Sequence, residues 1–416
     1  MGTRSAQRSF GPGALAARHV WLDGAWLSPG EIAWGSDGRV TALRRPRGPV
    51  ADLAVFPSLV NAHVHLQLPA LPRAPRRFDA WLRAVMAAQG RLDPRQLLAI
   101  AAAHLDELRA SGTGAVGEID SSGLAGAALA RARMRGRVYR ELTGFHLDRS
   151  AAAALVRARR AAGTRDCPAG LSPHAPYSVS SALFRAAVAA RVALSVHVAE
   201  TEDEQRFLRT GRGPFADLLA ELGRLPPSYR PPGTGAVRHL ERLGVLRPTT
   251  LLVHCQELER GDVARIAAAG AAIAVCPGTI EWFSRAAPPV PRWLAAGIPV
   301  ALGTDSRASN RGMSMVAELR RAARLWPQLA PDALLELATG NGARALGRPG
   351  LGRLRRGGRA DFFAIRAAAT GAASLQRLLH GPAAILGVWS EGRPLRVAPA
   401  GARRGAATGD GAFLQD

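Results

Sequence analysis

The stretch Asn61–Leu68, "NAHVHLQL", follows the apolar run "LAVFPSLV" (53–60) and places His63 and His65 two residues apart where an extended segment ends. Side chains at i and i+2 of a strand point the same way, so the two imidazoles can meet one ion. Alone, they could equally be ordinary strand-end histidines. What decides between these readings is whether the remaining chain brings further ligands to the same place.

Downstream of this stretch, short apolar runs alternate with alanine- and leucine-rich helical stretches, the pattern of repeated βα units. Strands are expected at 54–65, 113–120, 137–145, 169–174, 193–199, 249–255, 271–277 and 298–305. Eight parallel strands close a barrel. From about Val20 to Phe56 the text is short, alternating and rich in turns, which predicts small antiparallel strands. Matching fragments, "GRADFFAIR" (358–366) and "AILGVWSEGRPLRV" (384–397), return near the other end. The expected fold is therefore α/β: a (β/α)8 TIM-like barrel over 59–349, with a small composite β domain formed by both chain ends, 1–58 and 350–400, and a tail at 401–416. The Pro- and Gly-rich segment 223–235 reads as a long βα loop, because helical text resumes at once.

The chain has 416 residues, 47% of them hydrophobic, enough for one large barrel and an accessory piece. Its formal charge of +23 comes from 55 basic and 32 acidic residues. Every basic residue is arginine, and the arginines are scattered over helical text instead of forming a patch, which argues against nucleic-acid binding and leaves a basic nucleic-acid-binding protein as a remote alternative. The absence of lysine excludes a Schiff base, a P-loop lysine and a lysine carbamate bridging two metals. Cys167, Cys255 and Cys276 share no metal-like spacing, and Cys255 and Cys276 read as small core residues. Residues 1–20 show neither an export signal nor a myristoylation site, and no apolar run approaches membrane-spanning length. A soluble, cytoplasmic protein without nucleic-acid or membrane partners is expected, with a homodimer as a possible assembly.

The last residues of the expected strands carry ionisable groups: His63 and His65, Glu118, Glu141, His174, His197 with Glu200 just beyond, His254, Cys276 and Asp305. In a (β/α)8 barrel these ends converge on one face. His63, His65, His197 and Asp305 can then hold one divalent metal; three imidazoles and a carboxylate suit zinc, or iron in some settings. Such an ion lowers the pKa of its water from 15.7 toward roughly 7. Glu200 is placed to carry the proton to a leaving group, Asp305 to accept a hydrogen bond from the water, and His254 to orient the nucleophile or polarise the atom attacked. Trp282 and Phe283 could stack on a planar base or merely pack under a loop. Glu118 and Glu141 could contact substrate or satisfy barrel hydrogen bonds. Arg285 or Arg307 could meet a substrate carboxylate.

In order, "LVNAHVHLQL", "SPHAPYSVS", "SVHVAETEDE", "LLVHC", "VCPGTIEWF", "VALGTDSRASN", "LATGNGARALG" and "GRLRRGGRADFFAIR" resemble the amidohydrolase superfamily over about Val20 to Val397. The resemblance is to its cytosine, adenosine and thiomethyladenosine deaminase or chlorohydrolase-like branch. It implies a metal-dependent hydrolytic deaminase of heterocycles: hydroxide attacks an amidine-like carbon, Glu200 protonates the adjacent ring nitrogen, and ammonia leaves. It also implies that His174 contacts the sugar-like part of a nucleoside, although a turn-stabilising role explains that histidine nearly as well. Within the branch, "CPGT..WF" and "ALGTDS.ASN" look most like aminodeoxyfutalosine deaminases of the alternative menaquinone route. A triazine-type chlorohydrolase or amino-hydrolase is the alternative on the same fold. The chain departs from its relatives at Gln67, where they often carry Glu, and at Ile280, where they usually carry Asn. Both positions can face a small heterocyclic substrate.

Overall fold

The computed structural model describes residues 12–71, 75–159 and 163–395. Residues 1–11 and 396–416, including the expected tail, lie outside the described residues. The first sheet contains β1 (Gly13–Leu22), β2 (Ala25–Leu27), β3 (Gly30–Trp34), β4 (Val40–Arg44) and β5 (Ala51–Pro57) from the N-terminal side. The barrel follows as β6 (Leu59–Val64), β7 (Thr113–Asp120), β8 (Arg135–Leu142), β9 (Ala169–Pro173), β10 (Leu194–Val198), β11 (Thr250–His254), β12 (Ala272–Val275) and β13 (Val300–Leu302). β14 (Phe362–Arg366), β15 (Ile385–Ser390) and β16 (Arg393–Leu395) then return to the first sheet.

Strands β6 to β13 pair in parallel and in sequence order. The ring closes where the Asp305 amide donates to the His63 carbonyl at 3.1 Å, with a parallel bridge between Val64 and Asp305. The other sheet runs β16-β15-β14-β5-β1-β3-β4, with β2 on β1, so both chain ends build it. It is mixed: β1 pairs with β5 in parallel, where the sequence suggested antiparallel strands only.

The expected first strand, 54–65, is two strands in two different sheets. Pro57 ends β5, the Ser58 amide donates to Asp361 of the small sheet (3.1 Å), and the next amide, Leu59, donates to Gly112 beside the barrel (2.9 Å). Residues 54 to 64 are all buried, so no change in hydropathy marks the junction. At the far end β13 is shorter than expected, because Asp305 adopts left-handed backbone (φ 56°).

Two apolar layers hold this frame. Phe56 stacks on Phe363 with ring centroids 5.5 Å apart, joining β5 to β14, while buried Val196, Leu252, Ile273 and Leu302 belong to the large cluster shared by the barrel strands and their helices. After β10, Thr201 caps the helix Glu202–Thr210 by accepting from the Glu204 amide (3.2 Å), and acidic residues fill its first turn, where the helix dipole favours them. Glu200 is thereby held between a strand end and a helix start.

Candidate active site

The parallel strands all present their C-terminal ends at one rim, and the side chains gathered there bound a cavity of about 350 Å³. His65, Glu141, His174, His197, Glu200, His254 and Asp305 line it. His63 lies just beneath, fully buried, with its ring centroid 4.9 Å from His65, 4.8 Å from His197 and 5.9 Å from His254. His63 Nε2 is 3.6 Å and His65 Nε2 3.8 Å from Asp305 Oδ1, and His65 Nε2 is 3.2 Å from His197 Nε2. The ligand atoms of His63, His65 and Asp305 all lie within 4.8 Å of one another, as do those of His63, His197 and His254.

This donor set fits a divalent cation. Neither ring nitrogen of His63 has a hydrogen-bond partner although both are buried, an arrangement that is costly unless something else meets a lone pair. His197 Nδ1 must donate to the His174 carbonyl at 3.0 Å, since a carbonyl only accepts, which leaves Nε2 as a lone pair facing His65. Burial, reinforced by the neighbouring imidazoles, pushes His65 down to about 3 and His197 well below the usual histidine range. Burial likewise takes His254 down to about 3. For Asp305 burial works in the other direction, but His63, His254 and His65 outweigh it and hold the carboxyl well below the usual carboxylate range. Three neutral imidazoles and one carboxylate are hard-to-borderline ligands of the kind zinc takes.

Asp305 is aimed by its neighbours. Its Oδ2 accepts from Thr279 Oγ1 (2.9 Å) and Ser309 Oγ (2.8 Å), which leaves Oδ1 toward the histidines. Buried Glu318 accepts from the Gly278 amide (2.7 Å) and from Asn310 Nδ2 (2.9 Å), tying together the short helix that carries Thr279 and the loop that carries Ser309. Asp305 and His254 both sit on left-handed backbone, φ 56° and 72°, a conformation that costs a non-glycine residue roughly 1–3 kcal/mol and that clusters at functional sites.

Glu200 is 4% exposed, and burial pushes its carboxyl up to about 7 against the opposing pull of Arg285. Its Oε1 accepts from Arg285 Nη1 at 3.1 Å, its Oε2 is 3.7 Å from His254 Nε2, and its amide donates to Glu204 Oε2 at 2.9 Å. His174 lines the cavity with Nδ1 2.7 Å from Ser178 Oγ. The wall away from the histidines is apolar: Leu68, Phe78, Trp81, Val85, Phe215 and Leu218.

Several expected contacts lie elsewhere. Gln67 is buried outside the cavity lining and accepts from Ser122 Oγ (2.8 Å). Glu118, pushed well above the usual carboxylate range by burial, accepts from the Leu66 amide (3.0 Å) and also lies outside the lining. Trp282 does not line the cavity either; Trp81 does, anchored by Nε1 to the Ala308 carbonyl at 2.8 Å and edge-on to Phe283. Nothing in the local text distinguishes Trp282 from Trp81. Arg307 donates to the Arg311 carbonyl and is absent from the lining. Of the groups that sequence reading missed, Ser309 had a signal, its place four residues after Asp305 in a tight turn; Thr279 and Trp81 reach the site only through tertiary packing.

The amidohydrolase family model matches residues 54–397. The aminodeoxyfutalosine deaminase of Deinococcus radiodurans is 35% identical over 331 residues, covering 71% of this chain and 74% of that protein. Among solved structures, the aminofutalosine deaminase of Helicobacter pylori superposes with a TM-score of 0.77 at 21% identity, covering 92% of this chain and 99% of the other. The atrazine chlorohydrolase of Arthrobacter aurescens, solved with zinc, gives 0.73 at 21% identity, covering 92% and 94%. A barrel matched across nearly its whole length, with the histidines and the aspartate at the expected strand ends, leads to one conclusion: this chain belongs to the amidohydrolase family.

Proposed function

We propose that this protein is a metal-dependent hydrolytic deaminase that acts at the amino-bearing ring carbon of a purine nucleoside or a related compound such as aminodeoxyfutalosine, releasing ammonia. The observation that carries this reading is that the donor atoms of His63, His65 and Asp305 form one group and those of His63, His197 and His254 a second that shares His63, beside a cavity that a buried carboxyl, Glu200, also lines. The name of the Deinococcus relative supports the substrate class.

His63, His65, His197 and Asp305 would hold the cation, for which zinc is the best match and iron the runner-up. When bound, it supplies Lewis-acid activation of water near neutral pH. Glu200, whose carboxyl lies near 7, can both take a proton and give one back at working pH. It accepts the proton lost by water and delivers it to the ring nitrogen beside the carbon under attack. The second proton of the attacking water then passes to the amino nitrogen, so that the carbon–nitrogen bond breaks as the new carbon–oxygen bond becomes a carbonyl, and ammonia departs. His254, neutral and 3.7 Å from Glu200, orients the attacking oxygen, and Asp305 Oδ1 accepts its hydrogen bond. His174 and Glu141 offer polar contacts to the sugar-like part, and the apolar wall takes the remainder of the substrate.

The likeness to atrazine chlorohydrolase favours a second reading, in which chloride or a substituted amine leaves a triazine-like ring. Ammonia release measured across adenosine, thiomethyladenosine, aminodeoxyfutalosine and cytosine separates the two. Turnover of at least one aminopurine is expected. No ammonia from any of them, with turnover of a halogenated or alkylamino triazine, would replace the first reading by the second.

A further inference from the structure

Arg285 does not act where the sequence suggested. Ser284 adopts left-handed backbone (φ 54°) and the Arg285 amide closes on the Ile280 carbonyl at 2.9 Å, so the chain doubles back at the end of the helix Pro277–Trp282. That turn sends the guanidinium over the rings of Phe283 and Phe78, 4.6 and 5.5 Å from their centroids. From there Nη1 donates to Glu200 Oε1 at 3.1 Å, the one ion pair Arg285 makes among the described residues. Its side chain is 14% exposed and does not line the cavity, so it stands behind Glu200 as seen by a substrate.

We propose that Arg285 is a positioning residue for proton transfer: by occupying Oε1 of Glu200 it commits Oε2, the oxygen facing His254, to carry the proton in both directions. The inference rests on reading Glu200 as the proton carrier. The terminal torsion of a glutamate is broad and roughly two-fold, so an untethered carboxylate would exchange its oxygens and drift from the reacting atoms. A charge-assisted hydrogen bond removes that freedom. The donor is itself held in place, because its charge sits over two aromatic rings that stabilise it. An ammonium on a flexible stem cannot reproduce that geometry. With its donor turned to Glu200 and its charge over two rings, Arg285 is not disposed to receive a substrate carboxylate.

The test uses Arg285→Met, which keeps an apolar stem between Phe78 and Phe283, and Arg285→Ala, which opens a space for a small cation. Both should retain the metal content of the unsubstituted protein. Each should lose about 10- to 100-fold in kcat while KM changes by less than about threefold, as expected for an interaction needed in the transition state alone. Free guanidinium should restore part of the lost kcat of Arg285→Ala in a saturable way and leave Arg285→Met unchanged. In a Glu200→Gln background, Arg285→Met should change the residual rate by less than about twofold, because residues acting through one another are not additive. A kcat within about twofold of normal, a loss confined to KM, or an equal loss in the Glu200→Gln background would each overturn the inference. Absence of turnover by the unsubstituted protein would overturn the deaminase reading, and this inference with it; normal turnover by Arg285→Met would overturn this inference alone.

Discussion

Two sectors of one barrel rim bury polar groups, and they are built in opposite ways. On β7 and β8 carboxylates meet protein donors: Asp120 takes Arg140 at 2.6 Å, and Glu118 Oε2 takes the Leu66 amide at 3.0 Å, although Glu118 Oε1 has no partner among the described residues and Glu141 faces the cavity. On β6, β10 and the turn after β13, His63 has no partner for either nitrogen, His65 Nε2 and His197 Nε2 face one another at 3.2 Å, and Asp305 keeps one oxygen toward the histidines. Buried polar groups are satisfied by the fold or by something the fold receives. The contrast is between carboxylates met by protein donors and imidazoles gathered around a carboxylate.

The strongest break of that contrast is removal of a ligand. His63→Ala or Asp305→Ala should lower metal content to below about a tenth of normal and abolish turnover, because a divalent ion depends on its full donor set; elemental analysis beside a rate assay reads both. Next comes Glu200→Gln, which keeps shape but cannot carry a proton. Metal content should stay near normal while kcat falls by about 10²- to 10⁴-fold, and a variant with near-normal kcat would remove Glu200 from the reaction.

A smaller effect sharpens the boundary between the sectors at Glu204, fully buried below Glu200. Burial pushes its carboxyl up to about 8, above its value in the unfolded chain, so between roughly pH 4.5 and 8 the folded protein binds a proton that the unfolded chain does not. Stability contributed by this group is therefore present at low pH and lost as pH rises through 8. In metal-free protein, the fall in unfolding free energy from pH 6 to pH 8 should be smaller in Glu204→Gln than in the unsubstituted chain by roughly 1–2 kcal/mol. Equal slopes in denaturant melts at the two pH values would contradict the assignment. The least effect belongs to the paired sector: Glu118→Gln replaces a carboxyl kept neutral by burial with an amide of the same shape. It should leave metal content and kcat within about twofold and shift stability by about 1 kcal/mol or less; a large loss of turnover would return Glu118 to the substrate site.

Much of the site could be read before the fold was seen, because barrel geometry makes strand ends meet and His63, His65, His197, His254 and Asp305 each end an apolar run. Pattern reading failed where burial is uniform. The strand expected at 54–65 ran through Pro57 and Ser58 because both flanking strands are buried, and hydropathy carries no record of which sheet receives an amide. It also failed for planar and aliphatic contacts. Trp282 and Trp81 are indistinguishable in text, and only the packing of the helix Phe78–Gln89 along the cavity decides that Trp81 lines it.

By itself, then, the amino-acid order determined which residue types stand at the ends of apolar strands, that lysine chemistry is excluded, and that imidazoles and a carboxylate are the donor groups on offer there. Tertiary structure alone decided that burial keeps those imidazoles neutral, which oxygen of Asp305 is turned toward them, which oxygen of Glu200 meets Arg285, and which rings wall the cavity. The reason is one of range. Strand periodicity and burial are set by neighbours a few residues away, whereas the aim of a single atom is set by hydrogen bonds between segments such as Arg285 and Glu200, 85 positions apart, whose meeting no local pattern encodes.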